Sequence, residues 1–182
     1  MTNPVRLLID HTETPIGRLA LLADEAGQLR AVGFTDGHTR MLRQLARVQP
    51  RAASNPGGLT AALRAYFAGD LAAIDDLPIA PGGTPFQSAV WHALRTIPCG
   101  QTISYRALAE RIGNPAAVRA VGLANGANPI GIVVPCHRVI GSNGSLTGYG
   151  GGIERKRWLL AHERCTGTNP ELPWPISTAA GR

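Results

Sequence analysis

The first half of the chain sets short apolar runs between turn residues. Val5-Arg6-Leu7-Leu8-Ile9, residues 18–23 and Leu29 to Phe34 each have strand length, and Pro15-Ile16-Gly17 and Ala26-Gly27 part them. That rhythm predicts an antiparallel meander. Helical spacing then takes over. A helix is expected around Thr39–Val48, followed by a break at Ser54-Asn55-Pro56-Gly57-Gly58. A second is expected over Leu59–Gly69, with Leu59, Leu63, Tyr66 and Phe67 on one face. Leu71–Gly83, with Pro78, Pro81 and paired glycines, reads as a linker. No set of reactive side chains gathers in this block, and His11 and His38 read as surface residues.

The second half has stronger punctuation. Thr84 can cap a helix carrying Phe86, Val90, Trp91 and Leu94, which Pro98 and Gly100 end. Ser104 can cap another over Tyr105–Ile112, closed by Gly113. Asn114-Pro115 then opens a third that runs to Asn125, with proline at the first helical position. Two short helices joined by a Gly-Asn turn match a helix-turn-helix, and equally a helical hairpin that only packs. The third helix is thin: Ala116, Ala117, Ala120, Gly122 and Ala124 give it little bulk, and Arg119 is its only charge. Such a helix can pack tightly against a neighbour or enter a narrow groove.

Gly131-Ile132-Val133-Val134 reads as a buried extended segment that Pro135 ends. Glycine then dominates Gly141–Gly152, a loop whose backbone can approach a ligand closely; no Gly-Lys-Ser/Thr follows, so it is not a phosphate loop. A last helix is expected over Glu154–Glu163, and residues 166–182, rich in proline, read as a loose tail.

At 182 residues the chain can form one domain or two small ones. The reading adopted is residues 1–82 as an α/β domain and linker, 83–165 as a second domain, and 166–182 as tail. No run of about 18 apolar residues is present, so no membrane span is expected. The N-terminal residues lack the order of a signal peptide, and Cys99, Cys136 and Cys165 form no Cys-x-x-Cys pair. A cytoplasmic location is the simplest expectation. The net charge of +6 is uneven: residues 1–82 carry 8 basic and 8 acidic side chains, residues 83–165 carry 9 and 3. A basic second half points to a polyanionic partner, nucleic acid first.

That half also holds Pro135-Cys136-His137-Arg138. A cysteine beside two groups that can carry positive charge is a candidate low-pKa nucleophile. A structural cysteine fits the tetrapeptide equally well. In a regular strand Cys136 and His137 would point to opposite faces, so cooperation requires a turn or a bridging water.

Taken together, Ile97-Pro98-Cys99-Gly100, Ser104-Tyr105, Ala117 to Gly122, Asn128-Pro129, Val134 to Ile140, Gly148-Tyr149-Gly150-Gly151 and Leu159 to Glu163 resemble the methylated-DNA–protein-cysteine S-methyltransferases, the O6-alkylguanine-DNA alkyltransferases. The resemblance covers most of residues 5–165. It implies an α+β chain: an N-terminal ribonuclease-H-like α/β domain with a small antiparallel sheet, then a C-terminal winged-helix (helix-turn-helix) domain. It makes Cys136 the alkyl acceptor, His137 a base acting through water, and Glu163 the group that orients the imidazole. Asn128 becomes a hinge, and Tyr105 a donor to the departing guanine. Arg119, Tyr105, Arg106, Asn114, Gln87 and Ser142 become DNA-binding residues, with Val139, Tyr149 and Gly150 around the base pocket. The implied activity is single-use transfer from O6-alkylguanine, and from O4-alkylthymine, in double-stranded DNA by a monomer without cofactor. Some relatives bind zinc through N-terminal cysteines; no cysteine precedes Cys99 here, so no metal is expected. The alternative is a non-enzymatic alkyltransferase-like binder, which lacks the acceptor cysteine that this chain has.

Overall fold

The computed structural model describes residues 6–36 and 49–164. The helix expected around Thr39–Val48, His38 and the 166–182 tail lie outside the described residues. The meander is present as β1 (Leu7–Thr12), β2 (Leu19–Asp24) and β3 (Leu29–Phe34), paired antiparallel with Leu7 opposite Asp24 and Leu19 opposite Phe34. A two-residue strand, β4 (Arg51–Ala52), which the sequence reading does not contain, joins β1 in parallel and gives the order β3-β2-β1-β4. Every residue of β2 is buried, as a central strand covered on both faces should be. His11, read as a surface residue, is half-buried in β1.

α1 (Leu59–Phe67) lays Leu59, Leu63 and Tyr66 on the core. The expected linker is more ordered than its composition suggests. Leu71–Ile74 forms a 3-10 turn, and the chain then runs along the free edge of β3. There Leu29 N donates to Pro78 O at 2.8 Å, and Ala80 N donates to Leu29 O at 2.9 Å. Prolines suit an edge position because they have no N–H to contribute to a ladder.

The Thr84 and Ser104 caps read from the sequence are formed. α2 (Pro85–Arg95) starts in a capping box, with Gln87 N donating to Thr84 Oγ1 and Thr84 N to Gln87 Oε1. α3 (Tyr105–Arg111) follows the Ser104 cap, whose Oγ accepts from Ala107 N. The third helix begins later than expected. Pro115–Ala117 is a 3-10 turn, Asn114 makes no side-chain cap, and α4 spans Val118–Gly126. Trp91 Nε1 donates to Ala124 O at 2.9 Å and locks α2 to the inner face of α4. β5 (Ile103–Ser104) pairs in parallel with β6 (Val139–Ile140), and α5 (Ile153–Arg164) closes the described chain.

One continuous core joins the halves, from Leu19 and Tyr66 through Trp91 and Val121 to Leu159. Among the described residues no helix is long and apolar enough to cross a membrane.

Candidate active site

The segment before Cys136 corrects the sequence reading. Residues 131–133 form a turn, with Ile132 at φ 74°, rather than an extended strand. Only Ile130 takes a strand-like place, bridging in parallel to Val32 on the β3 edge. There Val32 N donates to Pro129 O at 2.9 Å, and Gly131 N donates to Val32 O. Apolar composition alone cannot separate a buried turn from a buried strand. The turn persists because Asn128 supplies the missing hydrogen bonds: its Nδ2 donates to Val134 O at 2.8 Å and its Oδ1 accepts from Ile130 N at 3.0 Å.

Cys136–Arg138 then forms a 3-10 turn that ends in β6. Consecutive side chains in a helical turn diverge by about a third of a rotation instead of a half. Cys136 therefore lines a cavity of about 550 Å³, while His137 lies fully buried behind it. Leu19, Val32 and Phe34 of the sheet, Gly122, Leu123 and Gly126 of α4, and Tyr149 to Gly151 of the glycine loop also line this cavity. Arg155 ties the loop to the sheet. It donates to Ile16 O at 2.7 Å and Gly151 O at 3.2 Å, pairs with Asp36, and lies 3.9 Å over the Phe34 ring.

Behind the thiol sits a buried ionic cluster. Glu163 Oε1 accepts from His137 Nε2 at 2.8 Å, from Tyr66 OH at 2.9 Å and from Arg138 at 2.9 Å; Oε2 accepts from Arg138 Nε at 2.8 Å. Arg138 also donates to Ile97 O at 2.6 Å. Burial alone would raise the Glu163 pKa, but its partners outweigh it and hold the carboxyl far below the usual carboxylate range. An ionised carboxylate only accepts, so His137 Nε2 must carry hydrogen. His137 Nδ1, the basic nitrogen of the neutral ring, has no hydrogen-bond partner among the described residues.

This cluster revises the expectation of a thiol activated by both neighbours. The Arg138 charge is matched to Glu163. Burial raises the Cys136 pKa, while Asn128 and the positive charge of Lys156 pull it down by less. The resting thiol is protonated and needs a base at the moment of reaction.

Lys156 is the residue that the motif reading passes over. It is fully buried, and its Nζ donates to Val139 O at 2.6 Å and Thr147 O at 3.0 Å. Burial pushes its pKa down to about 8, and a thiolate at Cys136 opposes the fall once it forms. One signal was available: it is the only lysine among 18 basic residues. Tyr66 gave a weaker signal, as one aromatic among others on an apolar face.

The other expected site residues spread out. Tyr149 and Gly150 line the cavity; Val139 is fully buried outside its lining, with its carbonyl taken by Lys156. Tyr105 is half-buried and donates to Thr147 O at 3.3 Å, the same carbonyl that Lys156 reaches. Arg119, Arg106, Asn114 and Ser142 are exposed. Gln87 is engaged in the α2 capping box. Among the described residues no group of three His, Cys, Asp or Glu side chains comes together to hold a metal ion.

Two family models match the chain. "6-O-methylguanine DNA methyltransferase, ribonuclease-like domain" covers residues 7–81, and "6-O-methylguanine DNA methyltransferase, DNA binding domain" covers residues 85–165. A relative from Shigella flexneri named methylated-DNA–protein-cysteine methyltransferase is 56% identical over 166 residues, spanning 87% of this chain and 96% of its own. A crystal structure of Mycobacterium tuberculosis O6-methylguanine methyltransferase superposes with a TM-score of 0.77 at 43% identity, over 89% of this chain and 95% of that one. Another, of Mycobacterium tuberculosis OGT in complex with DNA, gives 0.75 at 44% identity, over 88% and 94%.

Proposed function

This chain belongs to the 6-O-methylguanine DNA methyltransferase family, and from that membership we propose that it repairs DNA by direct reversal, moving the alkyl group of O6-alkylguanine onto Cys136. O4-alkylthymine is the second substrate. The observation that carries this reading is a cysteine on the wall of a cavity in the DNA-binding half, backed by a buried histidine–carboxylate pair.

The O6 carbon bond lies inside the stacked duplex, so the nucleotide must swing out, at a cost of about a few kcal/mol in lost stacking. Arg119, exposed on α4, enters the stack as the base leaves, while Arg106, Asn114, Gln87 and Ser142 lie against the DNA backbone. The base occupies the cavity beside Tyr149 and Gly150. His137 Nδ1 takes the Cys136 proton through one water as the sulfur attacks the alkyl carbon. Nε2 stays hydrogen-bonded to Glu163, which balances the imidazolium charge. A carbon–sulfur bond forms, the carbon–oxygen bond breaks, and Tyr105 donates a hydrogen bond to the departing guanine. The Lys156 cation stabilises the thiolate as it develops. Asn128 holds the turn that aims the sulfur.

The product is a thioether that no side chain here can cleave, so each molecule acts once. It works as a monomer in the cytoplasm, and residues 1–82 and 83–165 form its two units. Intact mass after incubation with an oligonucleotide containing O6-methylguanine tests the reading. Wild type should gain one methyl group and Cys136→Ser none. Binding without mass gain would instead make the chain a lesion-recognition protein, and a gain well above one methyl would refute the single-use site.

A further inference from the structure

We propose that Leu123 is an apolar wedge that enters the minor groove beside Arg119 and keeps the vacated stack open; this rests on the base-flipping reading above. The inner face of α4 is fixed: Val121, Ala124 and Asn125 are buried, and Trp91 holds the Ala124 carbonyl. The outward stripe then comprises Ala116 in the preceding turn, Arg119, Ala120, Leu123 and Gly126, all exposed. Only Arg119 and Leu123 on that stripe reach beyond Cβ. They are four residues apart, so they stand one turn from each other on the same face.

Leu123 is 72% exposed, and it is the one large hydrophobic side chain left exposed among the described residues. In that position most of its apolar surface stays in water, whereas burial against a partner would be favourable. It also lines the rim of the cavity that contains Cys136. Gly122 and Gly126 flank it, and a Cβ at Gly126 would meet nothing, so the helix surface is low around a single apolar projection. Low backbone and one branched apolar tip suit a groove too narrow for a bulkier helix. Arg119 and Leu123 then act as a pair, one charged and one apolar, at the position the nucleotide leaves.

A minor groove exists only in a duplex, which separates this role from one in chemistry or folding. The test is the single-turnover rate of methyl transfer from O6-methylguanine in duplex and in single-stranded oligonucleotide. Leu123→Ala should lower the ratio of duplex to single-strand rate by about tenfold, the factor that burial of most of a leucine supplies. Leu123→Met, which keeps apolar bulk, should restore most of the ratio. An unchanged ratio, or an equal loss on both substrates, overturns the wedge. If wild type transfers methyl from neither substrate, the proposed function itself falls, a result visible before any variant is compared.

Discussion

Tyr66 in α1 donates its hydroxyl hydrogen to Glu163 in α5 at 2.9 Å, across 97 residues of sequence. The carboxylate behind the candidate base is therefore gripped from both halves of the chain. Tyr66→Phe keeps the ring packing and deletes one hydrogen bond to a buried charge. The variant should lose about 2 kcal/mol in urea denaturation, and its methyl-transfer rate should fall severalfold as the imidazole loosens. Unchanged stability would mean that Arg138 and His137 alone satisfy the carboxylate.

Acid should unfold the protein through Glu163. Its folded pKa lies far below the ordinary 4.5, so the unfolded chain binds the proton first as pH falls. The stability it contributes is fully present above about pH 4.5 and is lost below it, towards the folded value. Glu163→Gln leaves Arg138 buried without its anion, and should cost about 3–5 kcal/mol at neutral pH. Its melting temperature should also vary less with pH between about 3 and 5 than that of wild type.

Lys156 makes the opposite prediction in alkali. Its folded pKa of about 8 lies below the ordinary 10.5, so the unfolded chain holds the extra proton between those values. Stability from this group rises with pH across that window, because the buried cation is relieved. Lys156→Met should abolish the rise. It should also shift the pH profile of Cys136 alkylation by iodoacetamide upwards, since a cation that lowers the thiol pKa is gone. An unmoved profile would remove Lys156 from the chemistry.

Neighbouring glycines of the cavity wall should behave differently. A Cβ at Gly151 would lie 2.7 Å from Tyr149 and 3.0 Å from Phe34, both ring atoms in a packed wall; a Cβ at Gly150 would meet nothing. Gly151→Ala should slow transfer from O6-methylguanine by about tenfold or more by displacing Tyr149. Gly150→Ala should leave the melting temperature within about 1 °C of wild type. Equal behaviour of the two would mean that the loop rearranges freely.

Local signals carried far in this sequence. The meander at β1 to β3, the Thr84 cap and the Ser104 cap are each written in a few adjacent residues, and each is formed. The approach to Cys136 is not legible as a turn, because the turn depends on Asn128 reaching forward six residues to Val134, a bond with no hydrophobic period. The roles of Tyr66 and Lys156 are hidden in the sequence for a related reason. Their importance lies in what they touch, and nothing in residues 59–67 announces a carboxylate 97 positions later. Arg138 reads as a cation beside Cys136, and that adjacency conceals its pairing with Glu163, 25 residues on.

The edge of β3 carries one more implication. Its Val32 N–H and C=O are satisfied by Pro129 and Gly131, so the segment leading to the acceptor is stitched to a sheet formed almost a hundred residues earlier. Amide hydrogen exchange at Val32 and Gly131 should therefore follow one shared opening event, slow and common to both halves. A fragment containing only the DNA-binding half would keep every motif residue around Cys136 yet leave this seam open to water. Thermal unfolding of the whole chain should therefore be one cooperative transition in calorimetry, with neither half melting apart from the other.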